Sequence, residues 1–359
     1  MKKILILALS GIIMLLSFGC ESSGITALKV YLQQKRISEA IREGEAAIGM
    51  DPNNAEAYYW TGVAYIERQE YDVASKYIDM ALQRGLTVED LHQRSEGEGL
   101  DNWDYHQVFL AGGVIALGNE KYQDAAKYLQ ISVEIDPEDA TPYAILGSVY
   151  RDIGDYDSMM SYYNISLSMD PNNYSALKNM GLYYLSQKED YAKAAETFDV
   201  LLAEHDTAAS VWYYQGLAYI QLANQYGSEG DLESREKYLN LSEQSFGKSA
   251  NLEPETRTSE IALYRAIALV SLERFAEAIP VLVEAAANID DEDPNKDKIL
   301  YNLGLSYNKQ EEYQKAVEVL TEAIELNPES RYYNLRADCY NKLGMPEKAR
   351  EDLLRATGQ

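Results

Sequence analysis

The chain has 359 residues, is 46% hydrophobic and carries a formal net charge of −26 at pH 7. That apolar content belongs to a folded protein, and the length exceeds what one ordinary core sustains, so the chain either divides into domains or grows by repetition. Charge of this sign works against nucleic acid and anionic headgroups, whose binding depends on clustered Lys and Arg, and two cysteines, Cys20 and Cys339, cannot supply a disulfide framework.

Met1-Lys2-Lys3 gives a positive start, and Ile4 to Phe18 is an apolar run of fifteen residues. This is the pattern of a secretory signal peptide over 1–19, and it falls short of the ~20 apolar residues that a spanning helix needs. The segment Leu16-Ser17-Phe18-Gly19-Cys20-Glu21 resembles the lipobox of bacterial lipoproteins, in which cleavage precedes the cysteine and lipid is attached to its sulfur. Gly19 and Cys20 fit that pattern, whereas Ser17 and Phe18 depart from the aliphatic and small residues it prefers. The resemblance implies lipidation at Cys20, and no other cofactor is expected. Each buried methylene contributes ~0.8 kcal/mol, so the several acyl chains of a mature lipoprotein hold durably where one does not. Loss of 1–19 leaves 30 basic residues (32 − 2) against 58 acidic, or −28. Residues 20–24 then form the tether, and at ~3.4 Å per residue Glu21 to Gly24 spans roughly 14 Å. The helix that follows carries Lys29, Lys35 and Arg36 with no acid between them, which suits a negative bilayer surface.

Beyond the tether the sequence repeats. Gly113, Gly147 and Gly181 lie 34 apart, as do Tyr31 and Tyr65, Ala40 and Ala74, and Pro137 and Pro171. The clearest unit reads Leu300-Tyr301-Asn302-Leu303-Gly304-Leu305-Ser306-Tyr307, then Tyr313-Gln314-Lys315-Ala316, then Leu320, Ala323 and Pro328. Spacing and residues together resemble the tetratricopeptide repeat pattern W-x-x-L-G-x-x-Y, A-x-x-x-F, P, with Leu300 and Leu320 in place of Trp and Phe. Equivalent runs start near Tyr58, Phe109, Tyr143, Leu177 and Trp212, and three degenerate units keep step around Ala40, Ala266 and Ala337, making nine. The predicted fold is all-α, a right-handed α-solenoid of antiparallel helix pairs: Gly or Ala lets the two helices approach, large residues three or four apart fill the seam, and Pro ends the second helix.

The count breaks twice. Gly62 to Gly113 is 51 residues and Gly216 to Ala266 is 50, against 34. Repeats 1 and 2 are therefore assigned to 25–88, an inserted connector to 89–105, repeats 3 to 6 with the first helix of the sixth to 106–223, an extended second half of repeat 6 to 224–256, and repeats 7 to 9 to 257–359. The chain reaches Gln359 with no obvious polar capping helix.

Little here suggests catalysis. His92, His106 and His205 share no metal-ligand spacing, and there is no phosphate-cradling loop or nucleophile elbow. Asp291 to Asp297 alternates acids like a calcium loop but has Lys296 where the turn glycine belongs and Asn302 where the closing Glu belongs, so it reads as an acidic connector. Cys339 reads as an inert buried thiol.

The tetratricopeptide resemblance implies instead that the first helices line a groove for a segment of another protein. Its inward positions project onto Tyr59, Val63 and Ile66, onto Leu110, Val114 and Leu117, onto Tyr213, Leu217 and Ile220, and onto Leu263, Ile267 and Val270. The wall then turns polar and basic at Lys298, Tyr301, Asn308, Lys309, Arg331 and Lys342. The ordered Lys, Asn and Arg set with which some members grip chaperone tails is not found. The chain is thus expected to be a non-catalytic scaffold, lipid-anchored in a bacterial envelope and facing periplasm or surface, with the outer membrane preferred, that holds other envelope proteins. The alternative is a structural component that self-associates through its C-terminal repeat.

Overall fold

A computed structural model of the chain describes residues 23–90, 102–252, 258–290 and 292–358. Among them every regular element is an α-helix, and clustering of contacts divides the chain between Ala176 and Leu177. The first unit holds α1 (Ser23–Gln33), α2 (Ile37–Met50), α3 (Ala55–Glu67), α4 (Tyr71–Leu82), α5 (Asn102–Gly118), α6 (Tyr122–Ile135), α7 (Ala140–Ile153) and α8 (Tyr156–Met169). Helix α9 (Tyr174–Ser186) begins at the division. The second unit continues with α10 (Tyr191–Glu204), α11 (Ala209–Glu229), α12 (Leu232–Leu252), α13 (Thr258–Ser271), α14 (Phe275–Ala287), α15 (Lys296–Lys309), α16 (Tyr313–Leu326), α17 (Ser330–Lys342) and α18 (Pro346–Ala356). Helices run in short-linked pairs, α1 to α8 each packed on the next within the first unit and α10 to α18 within the second, and alternate ones touch: α1 with α3 and α5 with α7 in the first unit, α11 with α13, α13 with α15 and α15 with α17 in the second.

The glycines that set the period sit where two helices press together. A Cβ on Gly62 would lie 2.6 Å from Ile78, on Gly113 2.6 Å from Leu129, on Gly147 2.4 Å from Tyr163, and on Gly304 2.6 Å from Leu320. The partner stands 16 residues on in each of these pairs. Gly216 instead faces Phe246, 30 residues on, so 14 of the 16 surplus residues in repeat 6 lie inside its hairpin. Both helices share them: α11 runs to Glu229, past the expected break at 223, and α12 is equally long at 21 residues. The first surplus falls after Ile78, where 91–101 lie outside the described residues.

Each of the nine hairpins turns through one residue in the left-handed region: Lys35, Gln69, Glu120, Gly154, Glu189, Gly230, Glu273, Glu311 and Gly344. At Gly154 the pattern is a Schellman closure, Gly154 N–H donating to Arg151 O (3.0 Å) and Asp155 N–H to Tyr150 O (2.9 Å). Only three of the nine are glycine, so most hairpins carry the side-chain strain of that region. Gly154→Ala is accordingly expected to cost about 1 kcal/mol, read as a lower melting temperature in circular dichroism; an unchanged melt contradicts this account of the turn.

Between pairs, Asp-Pro ends the second helix as an Asx turn: Asp51, Asp136 and Asp170 accept the N–H two residues on, at 3.1, 3.1 and 3.2 Å. The next helix is capped by side-chain oxygens of Asn54, Asp139 and Asn173.

Tyrosine fills the seams where the repeat pattern allows an aromatic. Tyr65 stacks on Tyr77 (5.2 Å), Tyr150 on Tyr162 (5.2 Å) and Tyr226 on Tyr238 (5.4 Å). Burial, then neighbouring Tyr65 and Glu45, push the Tyr77 phenol up to about 12, and burial with Asp79 and Asp124 pushes Tyr128 to about 12. Because these folded values exceed the ordinary 10.0, the neutral rings stabilise the fold fully below pH 10, and that contribution is lost as pH rises towards 12. Alkaline titration should show phenolate absorbance appearing together with loss of helicity across that window. Full ionisation of all tyrosines with helicity intact would contradict it.

Candidate protein-binding face

The side chains projected as an open wall separate into two groups. Tyr59 (0% exposed), Val63 (4%), Tyr213 (4%) and Ile220 (5%) are core residues, as are Ile66 and Leu263. The reason is lateral packing of successive first helices. The Tyr59 hydroxyl is hydrogen-bonded to that of Tyr105 on α5, and Tyr213 sets its edge against Phe246 (5.9 Å) and Tyr264 (6.4 Å). These rings are the seam between repeats, so they are not available to a partner in this arrangement. Asn308 is also buried; its amide donates to Asp338 Oδ2 (2.8 Å) and Cys339 Sγ (3.2 Å).

The accessible remainder comprises half-buried Leu110, Leu117, Leu217, Ile267, Val270 and Tyr301, and exposed Val114, Lys298, Lys309, Arg331 and Lys342. In the first unit only Leu110, Val114 and Leu117 of the projected wall stay reachable. In the second unit one position recurs: the residue directly after the small residue of the first helix is Leu182 on α9, Leu217 on α11, Ile267 on α13 and Leu305 on α15, all half-buried, before α17 places exposed Asp338 there. Ile267 packs both with the cluster around Tyr213 and Phe246 and with that around Leu263 and Leu303, so neighbouring repeats present a joined apolar surface. Leu182 and Leu305 escaped the sequence reading, although the same signal, a large aliphatic following the small residue, marks them.

This row leads into a cleft of about 350 Å³ between α15 and α17. Leu305 and Leu335 form its apolar part, and Asn308, Lys309, Glu311, Tyr313, Asp338 and Lys342 its polar part. Lys342 Nζ lies 3.4 Å from Asp338 Oδ2 and 5.2 Å from the centre of the Tyr313 ring. Beside the cleft, Tyr301 stacks on Tyr332 at 5.0 Å with the Arg331 guanidinium 5.0 Å over the Tyr301 ring. Burial, followed by the Asp297 carboxylate that accepts its hydrogen bond, pushes the Tyr332 phenol upward. Burial likewise raises the Cys339 thiol.

The other sequence candidates are structural where they are described. Asp293 accepts the Asn295 N–H (2.8 Å), and Asp297 Oδ2 accepts from both Asn327 and Tyr332 at 2.8 Å, so these acids hold the start of α15. Asp291 and His92 lie outside the described residues, as do the apolar run and Cys20. Among the described residues no helix is long and apolar enough to cross a membrane, and no three His, Cys, Asp or Glu gather as metal donors. His106 joins a Ser–His–Asp set that the sequence did not reveal, its Ser and His buried and its Asp half-buried: Nε2 donates to Asp139 Oδ2 (2.8 Å), and Nδ1 is 2.9 Å from Ser132 Oγ. Ser132 is 0% exposed and also donates to the His106 carbonyl, so its hydroxyl faces no solvent from which a substrate could arrive. Asp139, which burial would raise, is held below the usual carboxylate value by the Thr141 N–H it caps and by His106. Near the N-terminus, Lys29 lies 4.5 Å over Trp60, Lys35 pairs with Glu67 (2.8 Å) and Arg36 with Glu39 (2.9 Å), so α1 and the turn after it present less free positive charge than the sequence suggests.

Tetratricopeptide repeat models match residues 26–85, 140–173, 298–330 and 330–358. The chain belongs to the tetratricopeptide repeat family. Proteins of this family are in general non-catalytic repeat scaffolds that bind protein partners, and the repeats support an interaction scaffold here. Over 111 residues it is 30% identical to photosystem I assembly protein Ycf3 of Prochlorococcus marinus subsp. pastoris, covering 30% of this chain and 64% of that protein. Over 201 residues it is 26% identical to superkiller protein 3 of Schizosaccharomyces pombe, covering 55% of this chain and 13% of that one. The chain thus spans less than two thirds of either relative. Among solved structures, YrrB, described as a tetratricopeptide protein with an unusual peptide-binding site, matches with a TM-score of 0.48 at 21% identity over 57% of this chain and 94% of its own. PilF of Pseudomonas aeruginosa matches at 0.47 and 19%, over 66% and 99%.

Proposed function

We propose that the chain is a lipid-anchored envelope scaffold that holds a segment of another envelope protein along the first helices of residues 177–359, during assembly or maintenance of a complex. The observation that carries the reading is the row Leu182, Leu217, Ile267 and Leu305, which keeps apolar surface reachable on four successive repeats and ends in the α15–α17 cleft. Aliphatic surface left half-covered at a repeated position suits an apolar segment, because covering it releases the cost of its hydration. The name of the Prochlorococcus relative, an assembly protein, fits a task of this kind.

The anchor rests on the sequence around Cys20, with Lys2 and Lys3 before the apolar run. Helix α1 begins at Ser23, within the tether assigned to 20–24, so the first repeat follows the lipid closely. Cells fed an alkyne fatty acid should label the wild-type chain and not Cys20→Ala, and the variant should leave the membrane fraction. A variant that still labels and sediments with membranes would defeat the anchor reading.

Self-association is the competing reading, and it rests on Leu353 and Leu354 of α18, 47% and 42% exposed. Sedimentation of the chain without residues 1–20 decides it: a monomer at every concentration removes it.

A further inference from the structure

We infer that the α15–α17 cleft reads one carboxylate, an Asp or Glu side chain carried within the bound segment beside an aliphatic residue, and that Lys309 is the group that pairs with it. This rests on the groove reading above and adds the chemistry of its C-terminal end.

Among the described residues most cations of this acidic chain are already engaged, as Lys35, Arg36, Lys193, Arg274 and Arg336 illustrate. Lys309 is exposed at the cleft yet makes neither an ion pair nor a hydrogen bond among the described residues. The last turn of a helix favours a cation, which accounts for a lysine there but not for its standing beside a cavity with apolar walls. Lys342 occupies the matching place on α17, 33 residues on. The acid of that helix is committed: Asp338 accepts from the Asn308 amide at 2.8 Å and lies 3.4 Å from Lys342. A carboxylate entering the cleft therefore finds the Lys309 ammonium without a partner, with Leu305 and Leu335 excluding water from one side and strengthening the attraction.

The number of charges fixes the selectivity. Lys309 and Lys342 are balanced by Glu311 and Asp338 in the same lining, so the charges of the lining sum to zero and a run of acids would meet Glu311. One acid is matched by Lys309, the lysine of this lining that has no partner among the described residues. Lys298 lies in the first turn of the same helix and is also exposed, but eleven residues of helix place it ~16 Å away, too far to share that carboxylate. The aliphatic neighbour follows from continuity with Leu217, Ile267 and Leu305.

The test uses random dodecapeptides displayed on phage and selected on the full chain. One enriched sequence is then made with a fluorescent label and an amidated C-terminus. Enriched peptides should carry a single Asp or Glu next to Leu, Ile or Val. Lys309→Glu should weaken the labelled peptide at least tenfold without moving the melting temperature, and replacing the peptide's acid by Lys should restore binding to that variant. Affinity indifferent to Lys309→Glu, or enrichment without acids, overturns the subsite. So does binding that amidation abolishes, because the carboxylate read would then be a chain terminus. If Leu217→Asp abolishes binding while Lys309→Glu does not, the groove stands and the subsite falls; if no peptide enriches, both fall.

Discussion

Replacing Asp352 with Ala is expected to lower the free energy of unfolding by about 3–5 kcal/mol, the cost of leaving a buried ion without its partner. Arg336 Nε donates to Asp352 Oδ2 at 2.8 Å and Nη2 to Oδ1 at 2.7 Å, while Nη1 donates to Thr321 Oγ1 at 2.9 Å. One guanidinium thus joins α16, α17 and α18, and both ions of the pair are buried. A guanidinium is not deprotonated in a protein, so Arg336 cannot escape the lost partner by neutralising. Stability in a repeat array is a sum over units and their neighbours, so the loss should appear first as local opening of the last repeat, with amide exchange in α18 rising before the global melt moves. Arg336→Met combined with Asp352→Leu should recover most of the loss, because it removes both charges and keeps volume. Equal exchange protection of α18 in wild type and Asp352→Ala would show that the pair does not hold the repeat.

The second large effect concerns binding. Leu217→Asp and Ile267→Asp should each weaken partner retention by at least tenfold, since each removes an aliphatic worth ~1.5–3 kcal/mol when fully covered. Both side chains are half-buried, so helicity should survive. Tyr213→Asp is a poor probe by comparison: its ring lies in the seam against Phe246 and Tyr264, and a charge there would unfold the repeat. Val114→Asp, 47% exposed in the first unit, should leave retention unchanged. Co-purification after crosslinking reads all three. If Val114→Asp abolishes retention and the other two do not, the site belongs to the first unit.

The period was fully legible because it arises from a hard contact: Gly62, Gly113, Gly147 and Gly304 are spaced by the need to admit Ile78, Leu129, Tyr163 and Leu320. The hairpin turns were only partly legible, since Gly154, Gly230 and Gly344 announce the left-handed position but Gln69, Glu120 and Glu273 do not. The wall was misjudged at Tyr59, Val63, Tyr213 and Ile220 because periodicity assigns a residue to a helix face without saying whether a neighbouring repeat covers that face. Tyr105, which meets Tyr59, falls at the edge of the insertion, where the period gives no register. Lys309 was legible as a charge, but its lack of a partner became visible only once Asn308 and Lys342 were seen to hold Asp338.

The central claim, that the first-helix face of residues 177–359 holds a partner, is tested most directly by photo-crosslinking in cells. A reactive residue is placed in turn at Leu217, Ile267 and Leu305, and at Val200 and Val283, which are exposed on the second helices α10 and α14. The account predicts one envelope protein crosslinked from the first three positions and not from the last two. The same product from all five, or products from Val200 and Val283 alone, would contradict it.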